Sequence, residues 1–420
     1  MKKHIKLLVV LGILLVGSFS FYLFKGSKKD TLVYENNKIK PSSSGIAMML
    51  ETSAGSGNYE MTTRSEWPTE GYVFNANLSK CENGGELSWD DTNKKVLMSG
   101  NVSDKCYVYF DVEIDNSLAG YVKSLFVSNN GENGIYHHDA SLTNGAGDNS
   151  YRYAGASDQV DNYVCFGSTT PCPADNLYRI IGVFGDKVKL IKSDYATTAL
   201  LGADGDYSKM YTANNWNNSA YKGNNLTNVA AYNWNKSNQN TWSLSNLNKT
   251  NLNQNFITNI GADWAAKIAE TTWKVGGNTW SNIGTQPAKT AYQNEINNPV
   301  TTNSQDNKTE YSAKMGLMYV SDYMYAAPQD KWTLVGNNSD ASKDYRAATS
   351  VNWMYMGLNE WTISRSADIS DNAFRVNYTG GVSSNLVGNL AFGARPVFNL
   401  TSSVNYVSGS GTAADPITIN

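Results

Sequence analysis

The longest apolar run in the chain is LLVVLGILLVGSFSFYLF, residues 7–24, eighteen positions without a charge, with three lysines before it and three after it. As a helix it reaches about 27 Å, close to the hydrocarbon thickness of a bilayer. It predicts a transmembrane anchor over 7–24 within a tip-and-anchor segment, residues 1–30. The competing reading is a cleavable signal peptide, with Ser18 and Ser20 at the small positions. Against it, apolar residues continue past Ser20 and no A-x-A pattern appears. The lysines are balanced, so they leave the orientation open. A short N-terminus inside and a cysteine-bearing body outside is the simpler arrangement.

After the apolar run the pattern changes to short alternating runs. Residues 31–65 are rich in Ser and Gly, with one apolar patch at 46–50, and predict a stalk. Residues 66–113 carry GYVFN, ELSW, KKVLM and KCYVYFDV, separated by Asn-Gly-Gly and Asp-Asp-Thr-Asn, which predicts a small all-β module. Residues 114–150 are a helical linker and loop: Leu118, Tyr121, Val122, Leu125 and Phe126 fall at three-and-four spacing, and a Gly/Asn-rich loop with His137-His138 follows. The remaining 151–420 form the main domain. Gly185-Asp186 turns a hairpin between 178–184 and 187–192. Leu252, Phe256 and Ile260, then Trp264 and Ile268, mark two helices divided by Gly261. The stretch 316–327, GLMYVSDYMYAA, predicts a strand, and 360–400 alternates strands with polar turns.

Composition supports a folded protein. With 12% aromatic residues, including 11 Trp and 26 Tyr, the chain has large side chains to bury throughout. The net charge of −3 hides an asymmetry. Residues 1–29 hold six of the 34 basic groups and no acidic one, so the rest carries 28 basic against 37 acidic groups, or −9. An acidic body without a Lys/Arg run excludes a phosphate-tracking nucleic-acid role.

The four cysteines fall in two local pairs, Cys81/Cys106 and Cys165/Cys172, neither at zinc or redox spacing. Local disulfides are the pairing expected outside a reducing cytoplasm. Asp204-Gly205-Asp206 lacks the further oxygens of a calcium loop and reads as a polar turn. His137 and His138 have no carboxylate or cysteine at ligand spacing and read as solvent-exposed loop residues. The Trp/Asn-rich stretch 211–256 suits carbohydrate, because ring faces meet sugar C–H groups while amides meet hydroxyls. The simpler account is Trp in the core and Asn in turns. No nucleophile elbow, metalloprotease motif or phosphate loop is present. Glu360 with Asp368 or Asp371 is the one conceivable acid pair.

Four blocks carry a resemblance: GYVFN…CENGGELSWD…DKCYVYFD; NYVCFGS…CPADNLYRIIGVFGDKVKLI; WAAKIAETTWKVGG with GLMYVSDYMYA; and EWTISRSA…AFRVNYTGGV…GARPVFNLTSSVNYVSGSGTAADPITI. Together they span most of 67–420. The chain resembles a family of uncharacterised, membrane-anchored surface proteins of Gram-positive and wall-less gut bacteria, which implies no particular activity. The fourth block also looks like the C-terminal part of C-type-lectin-like domains of the formylglycine-generating-enzyme type. That resemblance implies a mixed α/β domain over 151–420 and, since no cysteine follows Cys172, a non-catalytic member.

The expectation is therefore an α+β chain in three parts: a transmembrane helix, a small disulfide-stapled all-β module and a C-type-lectin-like domain. Its expected role is non-catalytic binding or adhesion at the cell membrane, single-pass with the body extracellular. The ligand is a glycan or a host or cell-surface protein, and no cofactor or metal is called for. The alternatives are a structural, self-assembling surface protein and an extracellular hydrolase. The candidate ligand face is Trp361, Arg365, Asn372, Arg375 and Tyr378. Alternation puts Trp361, Ile363 and Arg365 on one side of their strand, either ligand face or core. Arg395 before Pro396 is read as structural, tying the last strand to loop carbonyls.

Overall fold

A computed structural model describes residues 45–100, 104–113, 115–169, 171–211, 220–299 and 309–420. The chain divides into two compact units, residues 1–115 and 116–420. Among the described residues no helix is long and apolar enough to cross a membrane. The tip-and-anchor segment 1–30, with the expected span at 7–24, lies outside them.

In the first unit the apolar patch assigned to the stalk is the strand Ile46–Glu51, which lies inside a five-stranded sheet. Its neighbours are Tyr59–Met61 on one side and Cys106–Val112, in parallel, on the other. Tyr72–Phe74 and Lys80–Cys81 pair with the latter strand. The module thus begins well before residue 66. Alternation sorts the sheet: Ile46, Met48, Leu50, Val108 and Phe110 are buried with Val96 and Met98 of the hairpin Glu86–Asp90/Lys95–Ser99. Trp67, Phe74 and Trp89 close that core. Cys81 and Cys106 stand opposite each other in register and are joined by a disulfide.

The second unit corrects the expected fold class. The described chain is strand-rich, with 30% strand and 20% helix, rather than an α+β chain ending in a mixed lectin-like domain. Two sheets dominate. One is antiparallel throughout and runs in the order Met315–Gly316, Val397–Asn399, Lys187–Lys192, Leu177–Phe184, Tyr151–Tyr153, Ile135–His137. Tyr163–Cys165 also pairs with Leu177–Phe184. The other runs Tyr207–Met210, Ala230–Asn233, Ala391–Gly393, Glu360–Arg365, Asn372–Val376, Val382–Leu386. The expected hairpin around Gly185-Asp186 is present, as is the Cys165–Cys172 disulfide.

Of the expected linker 114–150, residues 116–150 belong to this unit. Ser117 caps the short helix Leu118–Ser124, whose Leu118 and Val122 are buried, and Ile135–His137 is an edge strand. The helical block appears as Leu247–Phe256, Ile257–Asn259 and Ala262–Ala266, broken at Gly261, whose φ of +88° suits glycine.

The expected strand at 316–327 is mostly wrong. Only Met315–Gly316 pairs, and Val320–Tyr325 is a fully buried helix. An apolar run hidden on every side has no periodicity to separate helix from strand. What selects the helix is its N-terminus. Asp322 accepts from the Tyr319 N–H at 3.1 Å, and Glu295 from the Val320 and Ser321 N–H groups at 3.2 and 2.9 Å.

Candidate functional site

The Trp/Asn-rich stretch follows the simpler account over its described part. Trp234 and Trp242 are buried, and Trp234 Nε1 donates to the Thr362 carbonyl at 2.9 Å. Asn240 donates to the carbonyls of Ser366, Ile369 and Asn372, holding the loop between the strands Glu360–Arg365 and Asn372–Val376. Asn251 accepts from the Asp206 N–H, while Asp206 itself accepts from the Lys236 and Leu247 N–H groups. The Asp204–Asp206 segment is accordingly a turn whose buried carboxylate serves the backbone.

Every position of Glu360–Arg365 is buried, so the five residues expected to share a ligand face do not do so. Trp361 is fully buried and donates through Nε1 to the Tyr232 carbonyl at 2.8 Å. Arg365 is 1% exposed and donates through Nε to the Val275 carbonyl at 2.7 Å, with both Nη groups unpartnered. Burial pulls its guanidinium down to about 10. Asn372 reaches the Ser384 hydroxyl at 3.4 Å. Tyr378 gives its N–H to Asn359 Oδ1 at 3.0 Å, and its carbonyl accepts from the Tyr355 hydroxyl at 2.5 Å. The strand predicted to show alternate sides is covered on both, and this removes Trp361 and Arg365 from any surface.

Arg375 is different. It stands directly opposite Trp361 across the strand pair, so the two side chains share a face. Phe392 packs on both: the Trp361 and Phe392 ring centroids are 4.6 Å apart, and the Arg375 guanidinium lies 4.9 Å from the Phe392 ring. Arg375 Nη1 donates to Asn359 Oδ1, and the same oxygen receives the Tyr378 N–H. With the Asn385 amide turned oxygen-inward, it accepts from Arg375 Nε at 2.6 Å and Nη2 at 3.0 Å. Burial pulls this guanidinium, too, down to about 10. Above it opens a cavity of about 330 Å³ lined by Ser208, Lys209, Tyr211, Asn359, Arg375, Asn385, Asn389, Leu390, Ala391 and Phe392. That is the size of a small-ligand site. Aromatic and aliphatic surface, five amide or hydroxyl side chains and a guanidinium can together bind a polar ring.

Two other concavities are lined by committed groups. Beside Asp139 and Asp148 lies a hollow of about 380 Å³. There Asp139 accepts from Ser141 and the Leu142 N–H, and Asp148 pairs with Arg152 at 2.7 Å. A cleft of about 250 Å³ is walled by Phe184, Trp273, Tyr292 and Tyr319 and contains Lys189, which is paired with buried Asp322 at 2.7 Å. Cys81, Asp104 and Cys106 bring three ligand-type atoms within 4.8 Å, but both sulfurs belong to the disulfide and Asp104 accepts from the Asn83 and Gly85 N–H groups.

The histidines are not exposed loop residues. His137 ends an edge strand and stacks on Tyr151 at 4.2 Å. His138 is fully buried, its Nδ1 accepts the Ala146 N–H at 3.1 Å, and Tyr325 and Trp332 surround it. Burial, reinforced by the Arg152 charge, holds it well below the usual histidine range.

Arg375 and the adjoining Tyr378 are among the expected residues, whereas Phe392 in the strand Ala391–Gly393, Asn359 just before Glu360–Arg365 and Tyr211 just after Tyr207–Met210 are not. No family model matches the chain, and no curated protein or solved structure matches it.

Proposed function

We propose that this is a non-catalytic binding protein displayed at the cell surface, holding a polar ligand, glycan or protein-borne, in the Arg375 pocket. The observation that carries the reading is the pocket itself. A rigid sheet face presents an arginine fixed by two amides beside exposed Leu390 and uncommitted polar groups at the rim. Binding needs that combination: apolar surface to exclude water and a few fixed polar groups to orient the ligand. Two disulfides among the described residues favour an oxidising address. The test is a glycan array and a cell-surface protein panel probed with the full chain and with Ser208→Trp, which places an indole in the cavity from an exposed strand position. Binding by the first and not the second supports the reading, and binding unaffected by the substitution refutes the pocket.

A second reading, self-association, draws on the first unit. Register places Met49, Met61, Val73, Tyr107 and Tyr109 on the sheet face opposite its core, with Met61 at 66% and Val73 at 52% exposure. Apolar area displayed in that way marks an interaction surface. Concentration-dependent sedimentation abolished by Met61→Lys would favour this reading over the first.

A further inference from the structure

The pocket has a charge problem that no group among the described residues solves. Its lining contains Arg375 and Lys209 and no carboxylate. The nearby Glu360 is no counter-ion, because Arg395 holds it at 2.7 Å with both side chains buried. No ion pair to Arg375 exists among the described residues, and the groups raising its proton affinity are the phenols of Tyr211 and Tyr378. Of the five N–H groups of a guanidinium, Asn359 and Asn385 take three, all with neutral oxygens. A cation largely withdrawn from water and compensated only by amides lacks the anion that would offset its desolvation. This positive spot lies in a body of net charge −9, counted as 28 basic against 37 acidic groups beyond residue 29. The local sign is thus opposite to the global one.

The geometry narrows the anion. Arg375 lies over Phe392, is bonded by two amides and lines the cavity with two N–H groups still unused, and a planar guanidinium with two such donors can match a carboxylate in two contacts. Asn389 and Ser208 at the rim supply hydroxyl partners, and Leu390 with Phe392 supplies a surface for C–H groups. We infer that the ligand is a carboxylated sugar of the uronic-acid class, its carboxylate on Arg375 and its ring against Leu390 and Phe392. The inference rests on the binding reading above and adds the acid group.

The test is calorimetric titration of the full chain, disulfides intact, with a galacturonic-acid tetrasaccharide and with the matching galactose tetrasaccharide, at low and high salt. The acidic ligand binds at least tenfold tighter, and the advantage shrinks as salt screens the Lys209 contribution. Arg375→Gln removes the advantage, and Arg375→Lys keeps part of it. Lys209→Glu, at an exposed position where folding is not at stake, lowers acidic binding more than neutral binding. Equal affinity for both tetrasaccharides, indifferent to all three substitutions, overturns the acid inference while carbohydrate binding stands. Absence of binding to either overturns the carbohydrate reading with it. Inorganic sulfate or acetate matching the tetrasaccharide in affinity reduces the pocket to a simple anion site and overturns the sugar assignment.

Discussion

Arg395 donates through Nε to the Glu360 carboxylate at 2.7 Å, and neither side chain reaches solvent. Its Nη2 donates to the Met354 carbonyl at 2.7 Å, so the arginine ties the segment between Ala391–Gly393 and Val397–Asn399 both to the strand Glu360–Arg365 and to the loop before it. The carboxylate that the sequence offered as half of an acid pair is therefore an internal counter-ion. Asp368, its suggested partner, accepts from the Ser366 hydroxyl and the Trp280 N–H. Removing one member of a buried pair strands the other charge. Glu360→Leu and Arg395→Met are each expected to cost roughly 3–5 kcal/mol, and the double substitution much less than the sum. Urea denaturation of the three variants checks this, and additive costs would show that the two charges are not coupled.

Trp361 supports the pocket from inside rather than touching a ligand. Its ring packs on Phe392 and its N–H satisfies the Tyr232 carbonyl. Trp361→Ala is expected to lose roughly 3–5 kcal/mol through the cavity it leaves and the carbonyl it strands. Loss of binding in that variant would then report unfolding. Tyr378→Phe, by contrast, leaves the backbone contacts of residue 378 in place and should stay within about 0.5 kcal/mol of wild type. Thermal melts of the two variants side by side separate the roles.

How much of this the residues disclosed follows from the range of the interactions involved. The strand Cys106–Val112, the hairpin at Gly185-Asp186 and the break at Gly261 are local: alternation, turn chemistry and a positive φ are all written within a few positions. The patch 46–50 has the same alternation, but its parallel partner begins sixty residues later at Cys106, and nothing nearby announces that pairing. Val320–Tyr325 is helical because Glu295, from another helix, caps it. The pocket is less legible still. Arg375 meets Phe392 only because Ala391–Gly393 lies beside Glu360–Arg365, and Tyr211 arrives from two strands farther out. An arginine in an alternating strand is visible in a sequence, but the absence of a carboxylate around it is not.

Glu295 gives the protein a pH-dependent stability with a definite sign. Burial pushes its carboxyl up to about 7 despite the hydrogen bonds from Ser321 and Ser364. Its folded value lies above its unfolded one, so its stabilising contribution is complete below about pH 4.5 and is lost as pH rises through about 7. The loss is on the order of 3 kcal/mol. His138 acts in the opposite sense: it is held low in the fold, so its contribution is present above about pH 6.5 and is lost as pH falls. Denaturation of wild type and Glu295→Gln between pH 4 and 8 isolates the first effect. The stability difference between them should move against wild type across that window, and a constant difference would remove Glu295 from the account.

The disulfides should matter unequally because the two units are unequal. Cys81–Cys106 closes a separation of 25 residues and Cys165–Cys172 one of 7. On the chain-entropy model these contribute roughly 3.5 and 2.4 kcal/mol. The first belongs to a unit whose buried apolar set is Ile46, Met48, Leu50, Val96, Met98, Cys106, Val108 and Phe110, a core at the size where cross-links decide whether a module folds. The second belongs to a unit with a far larger core. Cys81→Ser/Cys106→Ser is therefore expected to melt the first unit near or below ambient temperature and leave the second transition in place. Cys165→Ser/Cys172→Ser should lower only the second transition, by a few degrees. Differential scanning calorimetry of the full chain resolves the two. A single transition shifted equally by both replacements would mean that the units do not unfold independently.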